Sequence, residues 1–163
     1  MHPPVLQWVR HSTAGKTYER VLELGSLDIN GSTRALFPDV AYVGVDRQQG
    51  PGVDIVSDIL DLPGEPKHAG VYDLVLSTEA LEHTLRQQEI VEVAYWALRP
   101  GGMFVGTCAA PGRSPHSGID EAPIRDFEEY RNVPPEDMRT WLDGWSLSHV
   151  EVEGMDLRWW AIK

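Results

Sequence analysis

The sequence holds a single cysteine, Cys108, among 163 residues. One thiol cannot close an intrachain disulfide, and metal sites built from several cysteines are excluded with it. Its neighbours, Phe104-Val105-Gly106-Thr107 and Ala109-Ala110, place it near a strand end, where a buried, inert thiol is expected. Long apolar runs are equally lacking, since none approaches the roughly 20 residues a membrane span needs. The N-terminus, Met1-His2-Pro3-Pro4, offers no basic segment followed by an apolar one. No secretory signal is therefore expected, and the cytoplasm is the default location. Basic residues are also few: 14 Lys and Arg stand against 25 Asp and Glu, for a formal net charge of −11. Nucleic-acid binders normally carry a basic face, because neutralising phosphates drives their affinity. None is visible, so no nucleic-acid partner is expected, and a small or cationic ligand fits better. The acids crowd the late part of the chain (Asp120, Glu121, Asp126, Glu128, Glu129, Glu136, Asp137), where keeping the surface solvated accounts for them. Internal repeats and low-complexity tracts are absent.

What is present is an alternation. Short apolar runs at 21–24, 41–45, 53–56, 72–76 and 103–107 are separated by polar or amphipathic segments, the rhythm of βαβ units. Runs with little polar alternation suit strands buried on both faces of a parallel sheet. The best helix spans 87–98, where Ile90, Val91, Ala94, Ala97 and Leu98 recur at helical spacing before Pro100-Gly101-Gly102 stops it. A short helix is expected over 31–37, closed by Pro38 and capped by Asn30. Residues 109–129 hold three prolines and two glycines without periodicity and read as a long surface loop. A helix near 134–142 follows, then strands at 145–153 and 157–162 joined by Gly154-Met155-Asp156, a hairpin that leaves one strand antiparallel.

Three acids follow three consecutive strands. Glu23 lies in Val21-Leu22-Glu23-Leu24-Gly25-Ser26, whose glycine lets the chain turn sharply and approach a ligand closely. Asp46 closes Tyr42-Val43-Gly44-Val45-Asp46, about 20 residues further on, where a carboxylate can accept both hydroxyls of a ribose. Asp58, in Ser57-Asp58-Ile59-Leu60, can accept from an adenine amino group while a neighbouring backbone N–H donates to the ring. Together they form an acidic rim on the carboxyl edge of the sheet, where open α/β sheets bind ligands.

With VLELGS (21–26), YVGVD (42–46), SDILDLP (57–63), YDLVLSTEALEH (72–83) and LRPGGMFVGT (98–107), the chain resembles the class I S-adenosylmethionine-dependent methyltransferases. The segments run in that family's order and cover most of residues 20–107. The resemblance implies an α/β Rossmann-like, doubly wound, mostly parallel sheet of seven strands in the order 3-2-1-4-5-7-6, with an antiparallel C-terminal strand and helices on both faces. It implies one methyltransferase domain, with an N-terminal segment (1–19), a cofactor-binding core (20–108), an acceptor-side loop (109–130) and a C-terminal helix and hairpin (131–163). It implies S-adenosyl-L-methionine as cofactor. Glu23, Gly25 and Ser26 would contact its methionine part, Asp46 with Arg47 its ribose, and Asp58 and Ile59 its adenine. Ser77, Thr78 and Glu79 would border the sulfonium. The glycine loop departs from the family pattern, since Leu27 and Ile29 stand at later glycine positions and Asn30-Gly31 is left to supply the turn.

Methyl transfer from a sulfonium needs positioning and exclusion of water, with a general base only where the acceptor arrives protonated. His83 and His116 are the candidates for that base, and Tyr130 and Arg131 the candidate acceptor contacts. The chain is short for the family, so a small-molecule acceptor would be recognised by the N-terminal segment, the 109–130 loop or a second subunit of a homodimer. Trp8, Trp141, Trp145, Trp159 and Trp160 are expected in the core or at a subunit contact rather than in a pocket. Glu82-His83 lacks a second histidine at helical spacing, so no metal site is expected. Ala14-Gly15-Lys16-Thr17 is no phosphate loop, because Arg10 stands where its first glycine belongs and the segment precedes the first strand. Two other classes stay open: a non-catalytic fold relative, and a dinucleotide-dependent oxidoreductase, whose Gly-x-Gly-x-x-Gly the 25–30 segment does not match.

Overall fold

The computed structural model describes residues 3–120 and 122–163; Met1, His2 and Glu121, named above for the N-terminus and the acidic stretch, lie outside the described residues. The apolar runs become β1 (Arg20–Leu24), β2 (Ala41–Asp46), β3 (Ile55–Val56), β4 (Tyr72–Thr78) and β5 (Leu98–Ala109). The C-terminal hairpin is β6 (Leu147–Glu153) and β7 (Asp156–Ile162). They form one sheet in the order β3-β2-β1-β4-β5-β7-β6. Pairing from β3 through β5 is parallel, and β7 runs antiparallel to both β5 and β6. All seven residues of β4 are buried, as expected for a central strand covered on both faces. This is the seven-stranded doubly wound architecture that the resemblance implied.

Helices cover both faces. On one lie α2 (Gln87–Ala97) and α3 (Pro135–Trp141), over a core that includes Leu22, Leu24, Phe104, Leu157 and Trp159. On the other lies α1 (Pro3–Thr13), whose Trp8 and Val9 pack with Val21, Leu74, Leu76 and Val105. α1 has no counterpart among the elements expected from sequence, although Val5, Trp8 and Val9 are buried at helical spacing and prolines suit a first turn. No helix among the described residues is long and apolar enough to cross a membrane. Trp8 and Trp159 are buried, while Trp141 and Trp145 pack on the first core and Trp160 on the second. Cys108 is fully buried, and burial holds its thiol well above the ordinary range, so it is the inert thiol expected.

Several elements differ from expectation for local reasons. The helix at 31–37 is a single 3₁₀ turn, Thr33–Leu36, and its cap is Ser32, whose hydroxyl accepts from the Arg34 amide at 3.1 Å, not Asn30. The third strand keeps only two residues; just before it Asp54 donates its amide to the Gly44 carbonyl (2.8 Å) and turns its carboxylate onto the Gly44 amide (2.7 Å) and the Arg34 guanidinium. Between β3 and β4 the chain makes two 3₁₀ turns, Ile59–Gly64 and Pro66–His68, where Pro63, Gly64 and Pro66 forbid a long helix. Strand β6 begins two residues late because Trp145 leaves the ladder to stack on Phe104, 5.9 Å between ring centres.

One polar residue fixes the start of the sheet. Asp73, buried in β4, accepts the amides of Glu19 (2.7 Å) and Arg20 (2.8 Å) and pairs with Arg99 (2.6 Å). Asp73→Ala would leave two amides without an acceptor, an expected loss of about 2–4 kcal/mol in urea unfolding. Asp73→Asn, which keeps an acceptor, should recover part of it; equal losses in both variants would mean that charge, not amide pairing, is what Asp73 supplies.

Candidate active site

The carboxyl ends of β1, β2 and β4 open onto a cavity of about 420 Å³, bounded on its far side by the loop after β5. Glu23, near the end of β1, is 2% exposed and borders this cavity. Its carboxylate accepts from Thr33 Oγ1 at 2.8 Å and from the Tyr42 hydroxyl at 2.7 Å. Burial pushes its carboxyl up to about 7, against the pull of those two hydrogen bonds. Thr33 and Tyr42 were not foreseen. The register that sets Tyr42 opposite Val21 is a tertiary fact without a local signature.

Gly25 then turns the chain with φ +80°, and a Cβ there would lie 2.4 Å from the Ala80 Cβ. The departure from the family's glycine pattern is absorbed locally. Asp28 accepts the Gly31 amide at 2.6 Å, and Leu27, where a glycine was expected, packs against Gly50 in the facing loop. A Cβ on Gly50 would meet Leu27 Cδ1 at 2.4 Å, so the small residue needed for close approach sits on the opposite side of the contact.

Asp46 stands at the cavity wall, accepting the amides of Leu27 (3.2 Å) and Gln48 (2.9 Å). Asp58 caps the turn that follows through the Leu60 amide (2.9 Å) and pairs with Arg47 at 2.9 Å. Arg47, Asp58 and Ile59 all line the cavity with Gly25 and Ser26. Thr78 and Glu79 line it as well; Ser77 does not, being fully buried with its hydroxyl donated to the Leu24 carbonyl (3.1 Å). The buried hydroxyls of Ser26 and Thr78 have no hydrogen-bond partner among the described residues. Glu79 adopts φ +54°, a costly conformation for a residue with a side chain, held by bonds from Thr107 Oγ1 (2.8 Å) and Arg113 (2.5 Å) to its carboxylate.

The other half of the cavity comes from His83, Arg113, His116, Ser117, Phe127 and Glu128. The two histidines, 33 residues apart in sequence, lie edge to face at 5.0 Å between ring centres. Tyr130 stands 5.4 Å from the His83 ring and 5.1 Å from that of His116. Burial, then the neighbouring His116, lowers His83 to about 4, so its imidazole is neutral at pH 7. Arg131 is not brought to the cavity: its amide donates to the Glu82 carbonyl (2.8 Å) and its side chain pairs with Asp137. Helical spacing alone does not bring a second histidine to Glu82-His83. The fold supplies the missing histidine from the loop, and one ligand atom each of Glu82, His83 and His116 lie within 4.8 Å of one another. The loop holds itself together through Ser117, which donates to Glu128 (2.7 Å) and accepts from Arg125 (2.7 Å).

The Glu23 shift makes a testable statement about stability. A carboxyl raised in the folded state stabilises most below its unfolded value, and that contribution is lost as pH rises through about 7. Wild type should therefore lose up to about 3 kcal/mol relative to Glu23→Gln between pH 4.5 and 8, read from urea unfolding at each pH. Parallel curves for the two proteins would show that Glu23 does not titrate there.

A seven-stranded sheet in this order, with the cavity at the carboxyl ends of its parallel strands, is the fold of the class I S-adenosylmethionine-dependent methyltransferases. No family model matches the chain. A solved S-adenosylmethionine-dependent methyltransferase from Archaeoglobus fulgidus superposes with a TM-score of 0.72 at 17% identity, over 96% of this chain and 91% of that one. The 1,6-didemethyltoxoflavin-N1-methyltransferase of Burkholderia thailandensis, solved with bound 1,6-didemethyltoxoflavin and S-adenosylhomocysteine, superposes with a TM-score of 0.69 at 18% identity, over 99% of this chain and 77% of that one. In sequence, the chain is 28% identical over 116 residues to the ubiquinone biosynthesis O-methyltransferase of Escherichia coli, covering 66% of this chain and 48% of that protein. The chain thus spans about half the length of the curated relatives it matches.

Proposed function

We propose that this protein transfers the methyl group of S-adenosyl-L-methionine to a small-molecule acceptor by in-line displacement. The observation that carries the reading is one cavity ringed by Glu23, Asp46 and Asp58, with the buried hydroxyls of Ser26 and Thr78 left without partners. Glu23 would meet the cofactor's ammonium, with Gly25 and Ser26 beside its methionine part; Asp46 and Arg47 the ribose hydroxyls; Asp58 and Ile59 the adenine edge. Thr78 and Glu79 would border the sulfonium, while Ser77 acts only by fixing the strand end. The bound cofactor supplies an activated methyl group on that sulfonium. The protein's task is to align the acceptor and exclude water. His83, neutral and half-buried beside His116, can take a proton from an acceptor that arrives protonated.

The reading takes residues 20–108 as the cofactor-binding core and 109–130 as the acceptor-side loop of one methyltransferase domain. A small acceptor without nucleic acid fits the net charge of −11, and a cytoplasmic setting fits the lone buried thiol. A second subunit would be the further source of acceptor contacts. A dinucleotide is disfavoured because Asp28, turned onto Gly31 in the first turn, would oppose a diphosphate. Calorimetric titration with S-adenosylhomocysteine, run beside NAD, tests the proposal. Micromolar binding of the first alone supports it; folded protein that binds neither is a non-catalytic fold relative.

A further inference from the structure

Glu82 is the buried ionisable group for which cofactor binding has no use. It is fully buried, one carboxylate oxygen takes the Ala109 amide at 3.1 Å, and the other has no hydrogen-bond partner among the described residues. A buried carboxylate with a free oxygen is costly unless a cation or a metal answers it. The nearby guanidinium, Arg113, is engaged elsewhere, held by Glu79 at 2.5 Å and Asp156 at 3.0 Å. No cation touches the second Glu82 oxygen among the described residues, and the groups that converge on Glu82 are His83 and His116.

We infer that Glu82, His83 and His116 bind a divalent transition-metal ion that holds a hydroxyl-bearing acceptor in the cavity. Their three ligand atoms lie within 4.8 Å of one another. Metal bonds of about 2.0–2.2 Å bring such atoms to within roughly 4 Å, so closure takes less than about 2 Å. His116, half-buried on the long loop, can supply that movement. Two imidazoles and one carboxylate suit zinc, iron, cobalt or nickel and leave coordination positions open. Those positions face the acceptor, because both histidines line the cavity. The Tyr130 hydroxyl, buried and without a partner among the described residues, stands beside them as a hydrogen-bonding group for a bound oxygen.

The inference rests on the methyltransferase reading for its acceptor, and names that acceptor's class. In the metal-loaded protein the imidazoles are ligands, and the ion takes over the work of a general base by lowering the pKa of the hydroxyl it holds. The hydroxyl proton leaves to water. An oxygen lone pair forms the new carbon–oxygen bond to the methyl group, and the pair of the broken carbon–sulfur bond stays on sulfur as the sulfonium becomes a thioether.

Cobalt(II) is the probe, since imidazole and carboxylate ligation gives visible d–d absorption. The wild-type protein, freed of metal by chelator, should take up one cobalt per chain with such bands. His116→Ala and Glu82→Gln should bind it at least about tenfold more weakly, and His149→Ala, whose ring lies on β6 away from the cavity, should match wild type. Glu82→Gln keeps the acceptor for Ala109, and circular dichroism checks that each variant is folded. Absence of bands in wild type, or full binding by folded His116→Ala, overturns the inference. S-adenosylhomocysteine titration of the same samples separates the two claims. Cofactor binding without cobalt removes the metal and leaves the methyltransferase; cobalt binding without the cofactor does the reverse.

Discussion

Asp46→Ala is expected to weaken S-adenosylhomocysteine binding by about 100-fold or more while leaving the fold intact. A carboxylate that accepts two ribose hydroxyls makes two charge-assisted bonds, each worth about 1.5–3 kcal/mol, and every 1.4 kcal/mol is tenfold in affinity. Part of the loss is indirect. The same carboxylate accepts the Leu27 and Gln48 amides, so it also holds the first turn against the loop after β2. Asp46→Asn separates these roles, because a neutral amide can still accept one backbone N–H while the charge is gone. Asn should therefore bind between wild type and Ala. Calorimetry reads the affinities, and thermal unfolding without ligand reads the turn. Undiminished binding by Asp46→Ala would remove Asp46 from the cofactor site and with it the ordering of that site along the strand ends.

How much of this was legible in the sequence depended on the range of the interaction. Strands announce themselves through short apolar runs, and β4, buried throughout, was read with its strand order from local pattern and resemblance. Asp46 and Asp58 were legible because their work is local: each follows its strand and closes a turn two residues on. Glu23 was found, but its partners Thr33 and Tyr42 were not, since they reach it from 10 and 19 residues away. Gly50 shows the same limit from the other side. A missing glycine at Leu27 looked like a defect until the fold set a glycine against it. Arg113 was invisible among the prolines and glycines of the long loop, yet it reaches back to Glu79 and forward to Asp156. The closeness of His116 to Glu82 and His83 had no local signature either, because His116 joins them only through the return of that loop. Short-range rules found the acids along the strand ends, and long-range contacts built the opposite wall of the cavity.

Arg113→Ala should destabilise the protein by about 3–5 kcal/mol at pH 8, the usual result of removing one member of a buried ion pair. The Arg113 side chain is 16% exposed, and Glu79, Glu82 and Asp156 all draw on its charge. Glu82 is already held well above the ordinary carboxyl range by burial and by Glu79, with Arg113 among the groups pulling it down. Without the guanidinium it rises further. Between the ordinary carboxyl range and that raised value, the folded variant then binds more protons than its unfolded chain, so its stability falls as pH increases. Wild-type Glu82 does the same up to about 8, so its share of the deficit should be level from pH 5 to 8 and grow only above about 8, as read by urea unfolding from pH 6 to 10. Arg113→Lys, which keeps a charge but not the fork that bridges two carboxylates, should fall between. A deficit that does not change with pH would assign the loss to packing of the arginine stem. In that case the Arg113 side of the cavity would be held by van der Waals contact and not by charge.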